Sequence, residues 1–230
     1  MTSKKVPPVL YKYYSPKRIS VVTDWTVHFS RPGDFNDTFD SNWPAVGKDE
    51  RMERFHFRSR TGIFCLTEKP DNHLMWVHYA DQHRGFVIGY KTSAAFLQAD
   101  GRRLDYVRYR KPQNTPFTNL IDHCFYKGTE WRYEKEWRCA RTIPRSEPFD
   151  EIFDPNDVEE IIIGAQMENA DINLILGFAD AVNRPGAGEM AQHAIQIKAA
   201  KPDINSRKIL INPSTLALCE QCSGHGHISG

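Results

Sequence analysis

The 230-residue chain has no apolar run that approaches the ~20 residues needed by a membrane-spanning helix. Its first ten residues, MTSKKVPPVL, include two lysines but no apolar stretch behind them, so we expect no secretory signal peptide. Cysteine is scarce and odd in number, at five residues, which is typical of reduced thiols rather than of a disulfide framework. The sequence therefore predicts a cytoplasmic protein and excludes the membrane and disulfide-scaffold classes.

An excess of either charge is also missing. Lys and Arg number 30 against 29 Asp and Glu, so the formal net charge is +1 and a histone-like polyanion binder is not indicated. A local basic cleft remains open, because net charge says nothing about distribution. Hydrophobic residues make up 40% and charged residues 26% of a chain without repeats or low-complexity stretches, which favours one soluble globular domain.

Three common catalytic motifs are absent from the sequence. It contains no Walker phosphate loop, no GxGxxG after a strand and no GxSxG elbow, so P-loop hydrolases, Rossmann dehydrogenases and α/β-hydrolases have no support. A cysteine nucleophile is weakly indicated, since His123 and Cys124 are adjacent and adjacent helical residues do not face each other.

Short apolar and alternating segments dominate the chain. We predict strands at 9–14, 26–30, 62–67, 85–90, 104–109, 131–141, 158–164, 194–198 and 208–211, and helices at 72–82, 117–126 and 171–183. Asn72 is expected near the cap of the first helix and Asp171 at the cap of the third. A charged stretch at 46–61 fits a helix or a surface segment. Without regular βαβ alternation, this order predicts an α+β fold of mixed, mostly antiparallel sheets flanked by helices. We expect one domain over 1–212 and a Cys/His/Gly-rich tail over 213–230.

The first candidate site lies on the strand Tyr11-Lys12-Tyr13-Tyr14. Rings around an ammonium group suit a flat anionic ligand, since the rings stack and the cation pairs with phosphate. The alternative is a half-buried edge strand whose Lys12 points to solvent.

The second candidate is a polar loop after a strand that ends in Ser30. Asn36 and Asp37, followed by Asp40, can hold ribose or amide groups beside the Ser30 hydroxyl. Alternatively, the loop residues form Asx turns and bond their own backbone amides.

The third candidate is the helix that carries Trp76, His78 and Tyr79. His78 and the following His83 can contact a substrate. Zinc binding by a pair at helical spacing is weakly indicated, because the glutamate of an HExxH motif is missing. The simpler interpretation is a packed helix with Trp76 in the core.

The fourth candidate is the segment WRYEKEWR. As a strand it places Glu134, Glu136 and Arg138 on one face. Two carboxylates and a guanidinium are costly to bury unless they are paired or used. The pattern indicates either a catalytic carboxylate that faces a developing cation or a solvent-exposed charged face.

The fifth candidate is the C-terminal tail. Cys219, Cys222, His225 and His227 can in principle supply the four ligands of a zinc ion. The alternative is an unstructured end without metal.

Together, LYKYYS, HFSRPGDFNDTFD, FCLTE, MWVHYADQHRGFVIGY and WRYEKEWR form a recognisable series. The series resembles the bacterial domain of unknown function 2971 over about residues 9–212. The FND loop, the WxHYAxxHxG helix and the YExEWR strand are its most specific parts. The family's name implies no activity.

The same order of motifs more distantly resembles the ADP-ribosyltransferase fold. That resemblance implies a split sheet, NAD as substrate and a catalytic glutamate on a late strand, at Glu136, with Glu134 completing the ExE pattern. The first two motif positions correspond to Lys12 or Tyr13 and to Ser30, although Lys12 stands where those enzymes carry His or Arg.

The resulting hypothesis is an NAD-dependent ADP-ribosyltransferase that acts on nucleic acid or protein, as a bacterial toxin or anti-phage defence effector. In it, Glu136 stabilises the oxocarbenium-like ribose, Tyr13 or Tyr14 stacks on nicotinamide, and Lys12, Arg31 or Arg138 binds phosphate. The alternative is an accessory domain without NAD chemistry. It binds either a partner protein or nucleic acid, the latter through the segments 51–60 and 102–111.

Overall fold

The computed structural model describes residues 4–37, 39–40, 48–110, 120–184 and 194–213. The strands are β1 (Val9–Tyr14), β2 (Thr26–His28), β3 (Thr61–Thr67), β4 (Phe86–Lys91), β5 (Arg102–Tyr106), β6 (Arg108–Tyr109), β7 (Tyr126–Lys127), β8 (Glu136–Thr142), β9 (Asp150–Ile152), β10 (Val158–Ile163), β11 (Gln196–Asp203) and β12 (Lys208–Pro213). The α-helices are α1 (Ser20–Thr23), α2 (Lys48–Arg60), α3 (His73–Tyr79), α4 (Ala95–Gln98) and α5 (Asn169–Asn183). Short 3-10 segments lie at Pro16–Arg18, Pro32–Asp34, Leu120–Phe125, Thr129–Glu134 and Pro155–Asp157.

A mostly antiparallel eight-stranded sheet, in the order β12-β11-β10-β4-β1-β3-β8-β5, confirms the predicted α+β class. Strands β10 and β11 pair in parallel. Two small sheets, β2-β9 and β6-β7, lie outside it. Within the described part of the chain, no helix is long and apolar enough to cross a membrane.

The large sheet consists of two halves that meet at a narrow junction. Strands β1 and β4 pair at six positions, and β3 and β8 pair at seven. Between β1 and β3 the register contains one pair, Tyr11 opposite Thr67. The sheet therefore opens between its five-stranded and three-stranded halves, and this opening positions the candidate site.

Both faces of β1 are covered, as the alternation of side chains along a strand requires. Leu10 and Tyr14 belong to the main hydrophobic core, while Tyr13 packs with Trp76 in a second cluster. In the main core, the Tyr14 and Tyr90 hydroxyls are 2.9 Å apart in a buried hydrogen bond. By the same alternation, Lys12 lies on the main-core face of β1, next to the opening.

Helix α3 begins where the sequence predicts. Asn72 is its N-cap, and the Asn72 side-chain oxygen accepts hydrogen bonds from the backbone amides of Leu74 and Met75 at 2.9 and 3.3 Å. The Asn72 amide group donates to the carbonyl of Tyr133 at 2.9 Å. The helix is thereby attached to the segment that carries Glu134.

The strand predicted over 131–141 is wrong in its first half. Residues Thr129–Glu134 form a 3-10 helix, and Lys135 adopts a left-handed conformation with φ of 48° before β8 begins at Glu136. The alternation of aromatic and charged residues does not reveal this turn, because the alternation has the two-residue period of a strand throughout the segment.

Other boundaries also differ from the prediction. The predicted strand 104–109 is interrupted at Val107, whose amide bonds to the carbonyl of Glu136 at 2.9 Å. Helix α5 begins at Asn169 after Glu168, so Asp171 lies in its first turn and is not its cap.

Gly164 permits a close backbone crossing beside β10. A Cβ atom there would lie 2.3 Å from the carbonyl oxygen of His83 and 2.4 Å from that of Gly85. We predict that Gly164→Ala lowers the free energy of unfolding by about 1–3 kcal/mol or more, because backbone must move to accept the methyl group.

Gly177 provides the matched control. It is exposed on α5, and apart from the adjacent helix backbone no described atom lies within 4 Å of the position that a Cβ atom would take there. Gly177→Ala should therefore stabilise the protein by roughly 0.5–1 kcal/mol. Urea denaturation of both variants measures the difference. Equal effects of the two substitutions would contradict the proposed close packing at Gly164.

Candidate active site

A cavity of about 370 Å³ lies at the opening between the sheet halves. Its walls include β1, the start of β8, helix α3 and the loop that follows Ser30. The sequence-predicted residues that line it are Lys12, Tyr13, Ser30, Asn36, His78, Tyr79, Glu134, Glu136 and Arg138. The structure thus brings together residues that are more than 120 positions apart in the chain.

Two other predicted residues lie outside this cavity lining. Trp76 is fully buried in the core and donates from its indole nitrogen to the carbonyl of Pro70 at 2.8 Å. It supports the site indirectly, through an edge contact with the ring of Tyr13 at 5.3 Å between centroids. Asp37 accepts a hydrogen bond from the amide of Phe39 at 2.9 Å, which is the Asx-turn alternative.

The predicted zinc ligands Cys219, Cys222, His225 and His227 lie outside the described residues. Within the described ranges, no group of three or more His, Cys, Asp or Glu residues is arranged to hold a metal ion. The zinc site therefore stays a prediction.

The floor of the cavity is a buried cluster of five charged residues, Asp40, Lys127, Glu134, Glu136 and Arg138. None of their side chains is more than 6% exposed. With all five ionised, the cluster carries three negative and two positive charges. Burial of so many charges is tolerable only because each of them is paired.

Arg138 is the centre of this cluster. Its Nε and one terminal nitrogen donate to the two carboxylate oxygens of Glu136 at 2.8 and 3.0 Å. The terminal nitrogens also reach Asp40 at 2.7 and 3.3 Å, and one donates to the carbonyl of Cys124 at 2.7 Å. Such bidentate pairing fixes the Glu136 carboxylate in one orientation.

Lys127 connects the two glutamates. Its Nζ lies 2.6 Å from Glu134 and 3.3 Å from Glu136, with Asp40 further away at 3.8 Å. The contact with Glu136 is the longer of its two hydrogen bonds. A ligand hydroxyl can therefore replace it at lower cost than it can replace the pairing with Arg138.

The environments of the two glutamates separate their pKa values. Burial raises the pKa of Glu134 to about 7, and the adjacent negative charge of Glu136 contributes. Burial also acts to raise the pKa of Glu136, but the charges of Arg138 and Lys127 outweigh it and lower that pKa to about 2. Glu136 is thus a permanent anion at neutral pH, while Glu134 can take up and release a proton.

Tyr79 holds Glu134 from the helix side. The Tyr79 hydroxyl donates to the Glu134 carboxylate at 2.7 Å, and the Asn36 side chain forms a hydrogen bond with the same tyrosine. On the other side, the backbone amide of Glu136 donates to the Tyr109 hydroxyl at 2.8 Å. Both catalytic candidates are therefore held by groups from outside their own segment.

Lys12 faces the opening from β1. Its Nζ donates to the carbonyl of Cys65 on β3 at 3.0 Å and lies 4.5 Å from the centre of the Phe64 ring. Desolvation by burial lowers the pKa of Lys12. The lysine thus bridges the two halves of the sheet at the point where few backbone bonds join them.

Sequence reasoning missed Lys127 as a member of the site. It stands alone between Tyr126 and Gly128, in a two-residue strand, and no motif distinguishes it. A covariation between Lys127 and Glu134 is the kind of signal that could have revealed it.

Residues 75–139 match the model of a family described as "Protein of unknown function (DUF2971)". This segment begins in α3 and ends in β8, and it includes Tyr79, Lys127, Glu134, Glu136 and Arg138. The match supports the family resemblance over these residues, and its description states no activity. No curated protein and no solved structure matches the chain.

The raised pKa of Glu134 gives the stability of the protein a specific pH dependence. The folded protein binds this proton more tightly than the unfolded chain, whose glutamate titrates at about 4.5. The resulting stabilisation is complete below pH about 4.5 and is lost as pH rises through about 7. We predict that Glu134→Gln, which cannot titrate, removes this component from the free energy of unfolding.

Urea denaturation at a series of pH values from about 5 to 8 measures this effect as the difference between wild type and variant. Glu130→Gln is the control, since Glu130 is an exposed carboxylate in the same 3-10 segment. A wild-type pH slope in Glu134→Gln would contradict the assignment of the titrating proton to Glu134.

Proposed function

We propose that this chain is an NAD-dependent ADP-ribosyltransferase-like enzyme that transfers ADP-ribose to nucleic acid or protein. The observation that carries the proposal is the pair of carboxylates in one cavity, Glu136 held ionised and Glu134 able to exchange a proton near neutral pH. Cleavage of a glycosidic bond with transfer to an acceptor needs both functions.

Glu136 supplies the negative charge. As the bond between nicotinamide and the ribose C1 breaks, its electron pair leaves with nicotinamide and positive charge develops on the ribose. A fixed carboxylate in a cavity shielded from water stabilises that charge more than it would in bulk solvent. The pairing with Arg138 positions the carboxylate in advance, so little reorganisation accompanies the reaction.

Glu134 supplies the base. A hydroxyl or amine of the acceptor forms the new bond to C1, and its proton passes to the Glu134 carboxylate. With a pKa of about 7, Glu134 is ionised in a large fraction of molecules at neutral pH and is still basic enough to take the proton. Lys127, at 2.6 Å, keeps the base in position.

The dimensions of the site also support a dinucleotide. A second cavity of about 480 Å³ adjoins the first, and the two share Lys12, Tyr13, Ser30 and Tyr79 as lining residues. Arg18 lines the second cavity. Lys12 and Arg18 can therefore bind phosphates while the nicotinamide ribose lies near Glu136.

The ring of Tyr13 is rigidly held beside this junction. Its hydroxyl donates to the carbonyl of Lys69 at 2.7 Å, and Trp76 supports the ring edge. Tyr13 is only 7% exposed, so it forms a rigid part of the cavity wall and leaves too little ring surface for nicotinamide to stack on, contrary to the sequence-based expectation. The opening of the sheet between β1 and β3 agrees with the split sheet that the ADP-ribosyltransferase resemblance implies.

The alternative of nucleic-acid binding through residues 102–111 receives less support. Arg102 pairs with Glu151 at 2.7 Å. Arg103 pairs with Asp105 and Asp122 at 3.0 and 2.5 Å. Arginines committed to carboxylates are less available to phosphates.

The test is nicotinamide release from NAD by the purified protein, measured with and without a mixed cell lysate as a source of acceptors. We predict that Glu134→Gln and Glu136→Gln each lower the rate by about 100-fold or more, since each removes an acid–base or electrostatic role. Glu130→Gln, an exposed carboxylate in the same segment, should retain the wild-type rate.

Glu136→Gln removes a negative charge that neutralises the buried guanidinium of Arg138, and the fold itself can suffer. Circular dichroism and urea denaturation of each variant must therefore accompany the assay. Tyr79→Phe is a milder variant that keeps all buried charges and should reduce the rate because Glu134 loses the hydrogen bond from the Tyr79 hydroxyl. Absence of nicotinamide release by wild type under all conditions, or wild-type rates in both glutamine variants, would overturn the proposal.

A further inference from the structure

Three cavities follow one another along the surface of the molecule. The 370 Å³ cavity with the two glutamates shares Lys12, Tyr13, Ser30 and Tyr79 with the 480 Å³ cavity. That second cavity shares His28 and Asp150 with a third, of about 710 Å³. The shared lining residues place the three cavities in a row, here called the groove, with the glutamates at one end.

The third cavity is rich in basic residues. Arg31, Arg60 and Arg145 line it, together with the imidazoles of His28 and His56. Arg31 and Arg145 are exposed and Arg60 is half-buried. The carboxylates of the lining are Glu147 and Asp150, so arginines outnumber them before either histidine is counted.

Aromatic rings lie among these cations. Phe55 is 63% exposed on α2, although exposing a phenylalanine side chain to water is unfavourable. Phe149 lines the same cavity, and the Arg31 guanidinium carbon lies 4.2 Å from the centre of its ring. Guanidinium groups that track phosphates, interleaved with rings on which bases stack, are typical of single-stranded nucleic-acid sites.

His28 stands where the second and third cavities meet. Its Nδ1 pairs with Asp150 at 2.7 Å across the β2–β9 sheet. Since Nδ1 is occupied, the other ring nitrogen is the one that can contact a ligand passing along the groove. The junction is therefore polar rather than closed by apolar side chains.

We propose that the basic end of this groove binds single-stranded nucleic acid, with phosphates on Arg31, Arg60 and Arg145 and a base against Phe55, and that the bound strand is the acceptor. The role as acceptor rests on the proposed function. The binding itself does not, because it requires neither NAD nor the two glutamates. An acidic peptide would satisfy the arginines but would leave the exposed ring of Phe55 without a stacking partner.

The test is fluorescence anisotropy with labelled 20-residue single strands of DNA and RNA, the same sequences as duplexes, and poly-glutamate, without NAD. We predict that Arg60→Glu/Arg145→Glu weakens single-strand binding by at least about tenfold. With about 0.7 lost for each phosphate contact, the slope of log affinity against log salt should fall by about 1.4. Phe55→Ala should weaken binding about fivefold without changing that slope.

Arg84→Glu/Arg184→Glu is the matched control. It changes the net charge by the same amount at two exposed arginines outside the lining of the three cavities. This variant should bind as wild type does. Because the assay contains no NAD, its outcome does not depend on the proposed transfer chemistry.

Several outcomes would overturn the proposal. These are no binding by wild type at low salt, equal loss of affinity in the two charge-reversal variants, tighter binding of the duplex, and equally tight binding of poly-glutamate. The last would indicate a protein acceptor.

Discussion

The pairing of Arg138 with Glu136 is the interaction on which the candidate site depends. It places a buried guanidinium at the start of β8, and Asp40, Lys127 and Glu134 surround the pair, so that the ionised cluster has three carboxylates against two cations. Removing one partner of such a buried pair typically costs about 3–5 kcal/mol, whereas an apolar replacement of the whole set can be neutral or stabilising. A protein that needed only stability could dispense with the cluster, so its presence in a cavity wall favours a chemical role.

The narrow junction of the sheet explains where that role can be performed. Between β1 and β3 the backbone pairs at Tyr11 and Thr67, and Lys12 bridges to the Cys65 carbonyl beside the opening. Side chains from both halves can therefore face a common ligand, and the Cys65 carbonyl at the opening accepts its hydrogen bond from a side chain instead of a neighbouring strand. The second cavity lies between this opening and the third cavity, whose lining has basic and aromatic residues. The dinucleotide and the acceptor strand therefore have separate places to bind.

Much of this arrangement could be predicted from residue types, and its limits have physical causes. The YKYY strand, the Asn72 cap and the placement of Glu136 and Arg138 on one face of β8 follow from period and chemistry. Glu134 reaches the same cavity from a 3-10 helix, which the alternating pattern does not predict. The turn at Lys135 could not be predicted, because a left-handed lysine leaves the alternating pattern unchanged. The role of Lys127 could not be predicted either, since its burial depends on carboxylates that the fold brings to it and not on the residues beside it in the sequence.

The central claim is that two carboxylates two residues apart have separate duties, one as a fixed anion and one as a proton carrier. Carbon-13 NMR titration of the glutamate side chains, assigned with the single glutamine variants, tests it most directly. The account predicts a Glu134 carboxyl resonance that titrates near pH 7 and a Glu136 resonance that stays that of an anion down to about pH 3. Titration of both carboxyl groups together near the ordinary glutamate value would contradict it.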